Sequence, residues 1–160
     1  MRRLQKTIEE VGWTRTVPTF SKHDMVSRAF DAMSREAHDC VLVADGDELG
    51  IFTSRDFLNR VAAKRRDPSK LTLGEVMTPG PKTLRPRDAL AFAINWMAVE
   101  GFRNVPIIDD TGNVLGVLTV WDVMRVLGDV FDEIDATPRP AAPASDISEV
   151  ISMVDLGGGG

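Results

Sequence analysis

Two short phrases in this chain place a hydroxyl, a helix start and a carboxylate within one turn of each other. Thr53-Ser54-Arg55-Asp56 follows Gly50-Ile51-Phe52, and Thr119-Val120-Trp121-Asp122 follows Gly116-Val117-Leu118. A strand that ends in Thr and runs into a helix puts Thr53 and Thr119 at the N-cap. The open N–H groups and the helix dipole there favour an anion. The threonine hydroxyls can also donate to a phosphate. Asp56 and Asp122 lie three residues on, in the first turn. A carboxylate is a double acceptor, suited to the two hydroxyls of a ribose. Gly50 and Gly116 remove a side chain where a ligand could approach the backbone. The same Thr-x-x-Asp spacing also makes a capping box, in which the acid reaches back to the cap N–H. The two roles are compatible.

These phrases belong to an internal repeat. From Thr53 to Thr119 the offset is 66 residues. Upstream, the apolar runs Cys40-Val41-Leu42-Val43 and Val105-Pro106-Ile107-Ile108 each end in an acidic turn, which is hairpin chemistry. Further upstream, each half carries an apolar stripe at helical spacing, over 24–37 and 88–100. The first stripe holds Met25, Val26, Ala29, Phe30 and Met33; the second holds Ala89, Leu90, Ala93, Ile94 and Met97. Closing helices are predicted over 54–64 and 120–131. Each half reads as strand, helix, strand, hairpin, strand, helix. One such unit buries little core alone, and two can cover each other's apolar faces.

The expected organisation is a first unit over 1–70 with an N-terminal helix, a second over 71–131, and a tail over 132–160. The tail opens on a proline and alanine linker, Thr137 to Ala144, which is extended in character. An amphipathic segment follows, with Ile147, Val150, Ile151 and Val154 on one side.

Composition removes several function classes. The 160 residues carry a net charge of −5, against the basic balance of a nucleic-acid binder. The one cysteine, Cys40, excludes an internal disulfide and a thiolate zinc site, and its apolar run places it in a core. The start Met1-Arg2-Arg3 is not followed by an apolar segment, and no run approaches a membrane span. The expectation is a cytoplasmic protein with no membrane contact. No nucleophile elbow, histidine metal pair or P-loop is present, and the repeats use most of the chain. An enzyme is not expected, and neither a metal nor a catalytic cofactor is called for.

The doubled Gly-apolar-apolar-Thr-x-x-Asp phrase resembles the tandem CBS domain, also called a Bateman module. Val76-Met77-Thr78-Pro79 is similar to the phrase that opens many second units, and Gly101 to Asp109 resembles the approach to a unit's second strand. The resemblance covers 12–131. It implies an α+β sandwich of two pseudo-twofold-related units, each a small three-stranded sheet with two helices. It implies two clefts that take adenine nucleotides or adenosyl compounds, a homodimer, and regulation of an unidentified partner protein.

In that family's pattern each cleft is shared between units. The Asp122 site would use Thr119, Arg103 and Asn104, with Thr14, Thr16, Val17 and His38 from the other half. The Asp56 site would use Thr53, Arg55, His38, Thr78 and Pro81. Arg103, with an always-charged planar fork, suits a phosphate. Asp39 places a negative charge near the first site, which Arg55 offsets, so the sequence favours the Asp122 site. It predicts that Asp122→Ala removes most ligand stabilisation. AMP is the first expectation, with ADP, ATP or NAD as further ligands. The alternatives are an S-adenosylmethionine sensor and a structural dimerisation or protein-interaction module with no physiological ligand.

Overall fold

Both opening helices start two residues later than their apolar stripes suggest, because an aspartate turns back ahead of each. Asp24 Oδ2 accepts from the Ser21 N–H at 2.9 Å, and Asp88 Oδ2 accepts from the Arg85 N–H at 2.7 Å. Such Asx contacts compete with helix and hold the chain in a turn. The helices then run as α1 (Val26–Glu36) and α4 (Leu90–Val99). The computed structural model describes residues 6–12 and 16–134, with side chains described as far as 128. The chain divides into two compact units, and both halves of the repeat lie in the first, Met1–Val126.

In chain order the first half contains β1 (Thr19–Phe20), α1, β2 (Cys40–Asp45) and β3 (Glu48–Thr53). The helix after β3 begins as α2 (Ser54–Asp56) and widens into a π-helical stretch, Phe57–Ala62. A link through α3 (Leu73–Val76) and β4 (Thr78–Pro79) leads to the second half. That half holds α4, β5 (Asn104–Ile108), β6 (Val114–Thr119) and α5 (Val120–Ile134). Helix positions therefore follow the sequence pattern, apart from the π-helical turn. At the N-terminus the described residues form one 3-10 turn, Glu9–Val11, and the rest of the segment expected to be helical lies outside the described residues. Gly12, at φ 69°, ends the turn after three residues.

The first sheet has the order β1-β2-β3-β4, with β1 parallel to β2 and the other pairs antiparallel. The second is the β5–β6 ladder, joined by a parallel bridge between Leu84 and Ile107. That bridge matches the Thr19–Leu42 pair of the first half. The three-stranded unit is therefore recognisable in both halves. The first sheet gains β4 as a fourth strand, from the link between the halves.

Strand alternation divides the core. Val41, Val43 and Phe52 face α1, packing with Val26, Ala29 and Met33. Leu71, Leu73 and Val76 of the link join the same cluster. The opposite face of β2, through Cys40 and Leu42, packs with Ile51 and with Val117 of the second sheet. Cys40 is buried there, as its apolar run predicts.

The segments that precede the two halves are exchanged. Thr72 pairs with Met25, while Thr7 pairs with Ala89. Thr72 and Thr7 each donate to a glutamate three residues on, Glu75 and Glu10. Ile8, fully buried, donates its N–H to the Asp88 carbonyl at 3.0 Å.

The turn between β5 and β6 is closed by Asp109. Its carboxylate accepts from Thr111 and Asn113, which holds its pKa down at about 2. A depressed folded pKa gives stability that is present above the unfolded value of 3.8 and is lost as pH falls through about 2. The stability difference between the native chain and Asp109→Ala is therefore expected to shrink across that window. Urea titrations of both proteins from pH 5 to 2 measure it, and a constant difference would contradict this account.

Candidate functional site

Thr53 and Thr119 end their strands and cap the helices that follow. In the first half the Asp56 carboxylate reaches back through Oδ2. It accepts from the Thr53 N–H at 3.0 Å and the Thr53 hydroxyl at 2.9 Å. The Asp56 N–H returns to Thr53 Oγ1 at 3.2 Å. The second half repeats this, with Asp122 Oδ2 accepting from the Thr119 N–H at 2.8 Å and its hydroxyl at 2.6 Å. The capping box is thus formed in both halves. Each threonine hydroxyl already donates to its aspartate, so it is not a spare phosphate donor in this state.

Each aspartate keeps a second oxygen outside the cap. Asp56 Oδ1 receives the Thr78 hydroxyl and Arg60 Nη2, both at 3.4 Å. Asp122 Oδ1 lies 3.7 Å from Arg125. Sequence reasoning did not single out Arg60. Its signal is the four-residue step from Asp56 on one helix face.

The centre is built from equivalent positions. Asp39 and Asn104 meet directly, with Asn104 Nδ2 donating to Asp39 Oδ2 at 3.1 Å. The Ser54 hydroxyl also bonds to Asp39. The Ser54 N–H donates to the Asp39 carbonyl, and the Val120 N–H to the Arg103 carbonyl. These bonds tie each closing helix to the start of its own β-hairpin. Asp39, Arg103 and Asn104 consequently line both clefts.

The clefts differ in size. The one at Asp56 has a volume of about 490 Å³ and is lined by Thr53, Arg55, Asp56, Thr78 and Pro81, as the sequence expects. Ile51, Leu58, Lys82, Gly101 and Phe102 line it as well. The space beside Thr119 measures about 60 Å³ among the described residues. Val17, His38, Arg103 and Asn104 line it with Thr119. Asp122 does not line it; its side chain is buried beneath the cap. Thr16 lines neither cleft, and Thr14 lies outside the described residues.

His38 borders the smaller space and not the Asp56 cleft. Its ring lies 3.3 Å from Glu36, following a left-handed turn at Ala37. Gly50 has a packing reason where the sequence suggested ligand access. A Cβ there would run into Met77 Sδ.

The Asp56 cleft has both polarity and apolar walls. Arg103 makes no side-chain hydrogen bond or ion pair to the described residues, and Arg55 donates only to the Gly101 carbonyl, at 3.3 Å. Lys82 is less available, paired with Glu100 at 2.6 Å and held over the rings of Trp96 and Phe102. Ile51, Leu58, Pro81 and Phe102 supply apolar surface. The arrangement offers two available guanidiniums, the carboxylates of Asp56 and Asp39, and apolar walls to one ligand.

Comparison with known proteins agrees with this geometry. The CBS domain family model matches residues 13–63 and 73–129. An uncharacterised protein of Methanopyrus kandleri is 30% identical over 87 residues, covering 54% of this chain and 44% of its own length. The chain thus spans less than half of that curated relative. A putative signal-transduction protein with CBS domains from Burkholderia ambifaria superposes with TM-score 0.70 at 24% identity, over 85% of this chain and all of that one. A CBS domain protein from Pyrobaculum aerophilum complexed with AMP gives TM-score 0.67 at 16% identity, over 79% and 99%. A CBS domain pair in complex with 5-methylthioadenosine and S-adenosyl-L-methionine gives 0.66 at 21%, over 77% and 100%. Matched in both halves by the family, with one repeat fold built twice around a shared centre, this chain belongs to the CBS domain family as a tandem pair.

Proposed function

We propose that this chain is a regulatory sensor module that binds an adenine nucleotide, AMP foremost, in the cleft at Asp56. The observation that carries this reading is the cleft of about 490 Å³ that Arg55, Arg103 and Asp56 all line. Ligand sites run roughly 300–1,000 Å³, a range that the 60 Å³ space at Thr119 does not reach. The volumes move the proposal from the Asp122 site to Asp56 and leave the former as a second position. The base would lie against Leu58, Pro81 and Phe102, the ribose hydroxyls against Asp56 Oδ1, and the phosphate between Arg55 and Arg103. ADP, ATP and NAD share this chemistry. S-adenosylmethionine brings a sulfonium cation, which two guanidiniums disfavour.

A second reading, a dimerisation module with empty clefts, is favoured by apolar surface outside the site. Trp121 is 69% exposed and Met124 55% on α5, and Phe92 and Val99 are exposed on α4. A homodimer is compatible with both readings, and regulation of a partner protein belongs to the first.

Thermal unfolding of the native chain and Arg103→Ala, titrated with AMP, ADP, ATP, NAD and S-adenosylmethionine, separates them. At a ligand concentration a hundredfold above Kd, binding adds about 2.7 kcal/mol to stability. Arg103 has no side-chain partner among the described residues, so its removal should change unliganded stability by less than about 0.5 kcal/mol. It should weaken AMP about tenfold or more, the contribution of a charged hydrogen bond. No shift with any ligand, in folded nucleotide-free protein, would leave the dimerisation module as the reading.

A further inference from the structure

Asp56 and Asp122 hold matching places, yet the helices after them differ by one residue. Arg60 and Arg125 each pair with their aspartate's Oδ1, and each precedes a buried valine, Val61 or Val126. The step from aspartate to arginine is i to i+4 in the first helix and i to i+3 in the second. The first helix absorbs its extra residue in the π-helical stretch Phe57–Ala62. Such wide turns are frequent at functional sites.

The extra residue gives the two arginines different contacts. Arg125 reaches Asp122 alone among the described residues. Arg60 Nη1 donates to the carbonyls of Val76 at 2.8 Å and Met77 at 2.6 Å. Its Nη2 donates to Thr78 Oγ1 at 3.1 Å and lies 3.4 Å from Asp56 Oδ1. One guanidinium therefore fastens the link between the halves to the helix that carries Asp56. It does so beside the cleft without lining it.

We propose that Arg60 is a positioning residue for the ribose end of the nucleotide cleft. Through Asp56 Oδ1 and Thr78 Oγ1 it fixes the two oxygens that face the ribose hydroxyls. This rests on the reading of the Asp56 cleft as an adenine nucleotide site. Five donors in a rigid fork allow one arginine to hold all four oxygens at once, which lysine cannot do. Without Arg60, two carbonyls lose their donor, and Thr78 Oγ1 and Asp56 Oδ1 keep only their long contact with each other, with the carboxylate anchored by Oδ2 alone. The phosphate contacts at Arg55 and Arg103 and the apolar walls do not depend on it. Its loss should therefore be felt through the hydroxyls of the ligand.

Calorimetric titration of the native chain, R60A and R60K with AMP and with 2′,3′-dideoxy-AMP tests this. The native chain should prefer AMP by roughly tenfold or more. In R60A that preference should shrink severalfold, with dideoxy-AMP binding almost unchanged. R60K should keep part of the preference, because an ammonium still reaches Asp56 and one linker oxygen. Equal weakening of both ligands in R60A would make Arg60 a general structural support and overturn the proposal. Unchanged AMP binding in R60A would overturn it too, while leaving the cleft reading intact. If the native chain bound neither ligand, the cleft reading would fall and the role of Arg60 with it.

Discussion

Asp56→Ala should bind AMP at least about tenfold more weakly than the native chain, and Asp122→Ala should keep most of the affinity. With Oδ2 engaged in the cap, a ribose hydroxyl donating to the charged Oδ1 contributes roughly 1.5–3 kcal/mol, so losing the acceptor costs about one power of ten or more. Asp56 has this geometry, with Oδ2 held in the cap and Oδ1 at the edge of a ligand-sized cleft. Asp122 has the same cap and similar burial but lines no ligand-sized cleft, the space at Thr119 measuring about 60 Å³. Both substitutions also remove the carboxylate half of a capping box and leave the threonine cap, at a cost of about 1 kcal/mol in stability. That shared cost makes the pair informative: lost stability should be similar in the two variants, and lost affinity should not. Asp56→Asn separates the effects further, since its amide oxygen can still accept from the Thr53 N–H. Calorimetric titration with AMP provides the affinities and urea unfolding provides the stabilities. Equal affinity losses would return the main site to Asp122 or divide it between the clefts.

Phe52→Ala should cost about 3–5 kcal/mol, the largest stability effect expected of a single substitution here. Phe52 is fully buried, with Val26, Ala29 and Met33 of α1 in its cluster. Leu71, Leu73 and Val76 pack into the same cluster from the link between the halves. Truncation leaves a ring-sized void where sheet, helix and link meet, and the hydrogen-bonded strand β3 limits collapse around it. A domain of this kind holds about 5–15 kcal/mol in total, so the variant should be close to unfolding. Phe52→Leu keeps most of the volume and should cost less than about 1.5 kcal/mol. Urea unfolding of both proteins measures the difference. A loss below 1 kcal/mol for alanine would show that the cluster closes around the gap.

The two clefts are built from one repeat and yet are unequal. The central contacts are nearly symmetric, with Asp39 against Asn104 and each closing helix bonded to the residue before its own hairpin strand. The inequality comes from what surrounds them. Arg60 fastens the link beside the first cleft, while Arg125 has only its aspartate among the described residues. A repeat can thus keep its shared centre and diverge in the parts that decide ligand size.

The sequence by itself determined whatever depends on neighbours along the chain. The repeat, the strand alternation, the helical stripes and both capping boxes are local patterns, and Thr53, Asp56, Thr119 and Asp122 stand where those patterns place them. A further repeat was also legible, in Thr7-x-x-Glu10 and Thr72-x-x-Glu75, each glutamate bonded back to its threonine. Tertiary structure decided the rest. Gly50 makes room for Met77 Sδ, a contact that spacing along the chain does not reveal. Lys82 and Phe102 enter the Asp56 cleft from the second half, and His38 is kept out of it. The volumes of about 490 Å³ and 60 Å³ arise because an empty space is the gap between surfaces brought together from distant parts of the chain. Local pattern sets which groups sit at a helix start; only packing sets how much room is left in front of them.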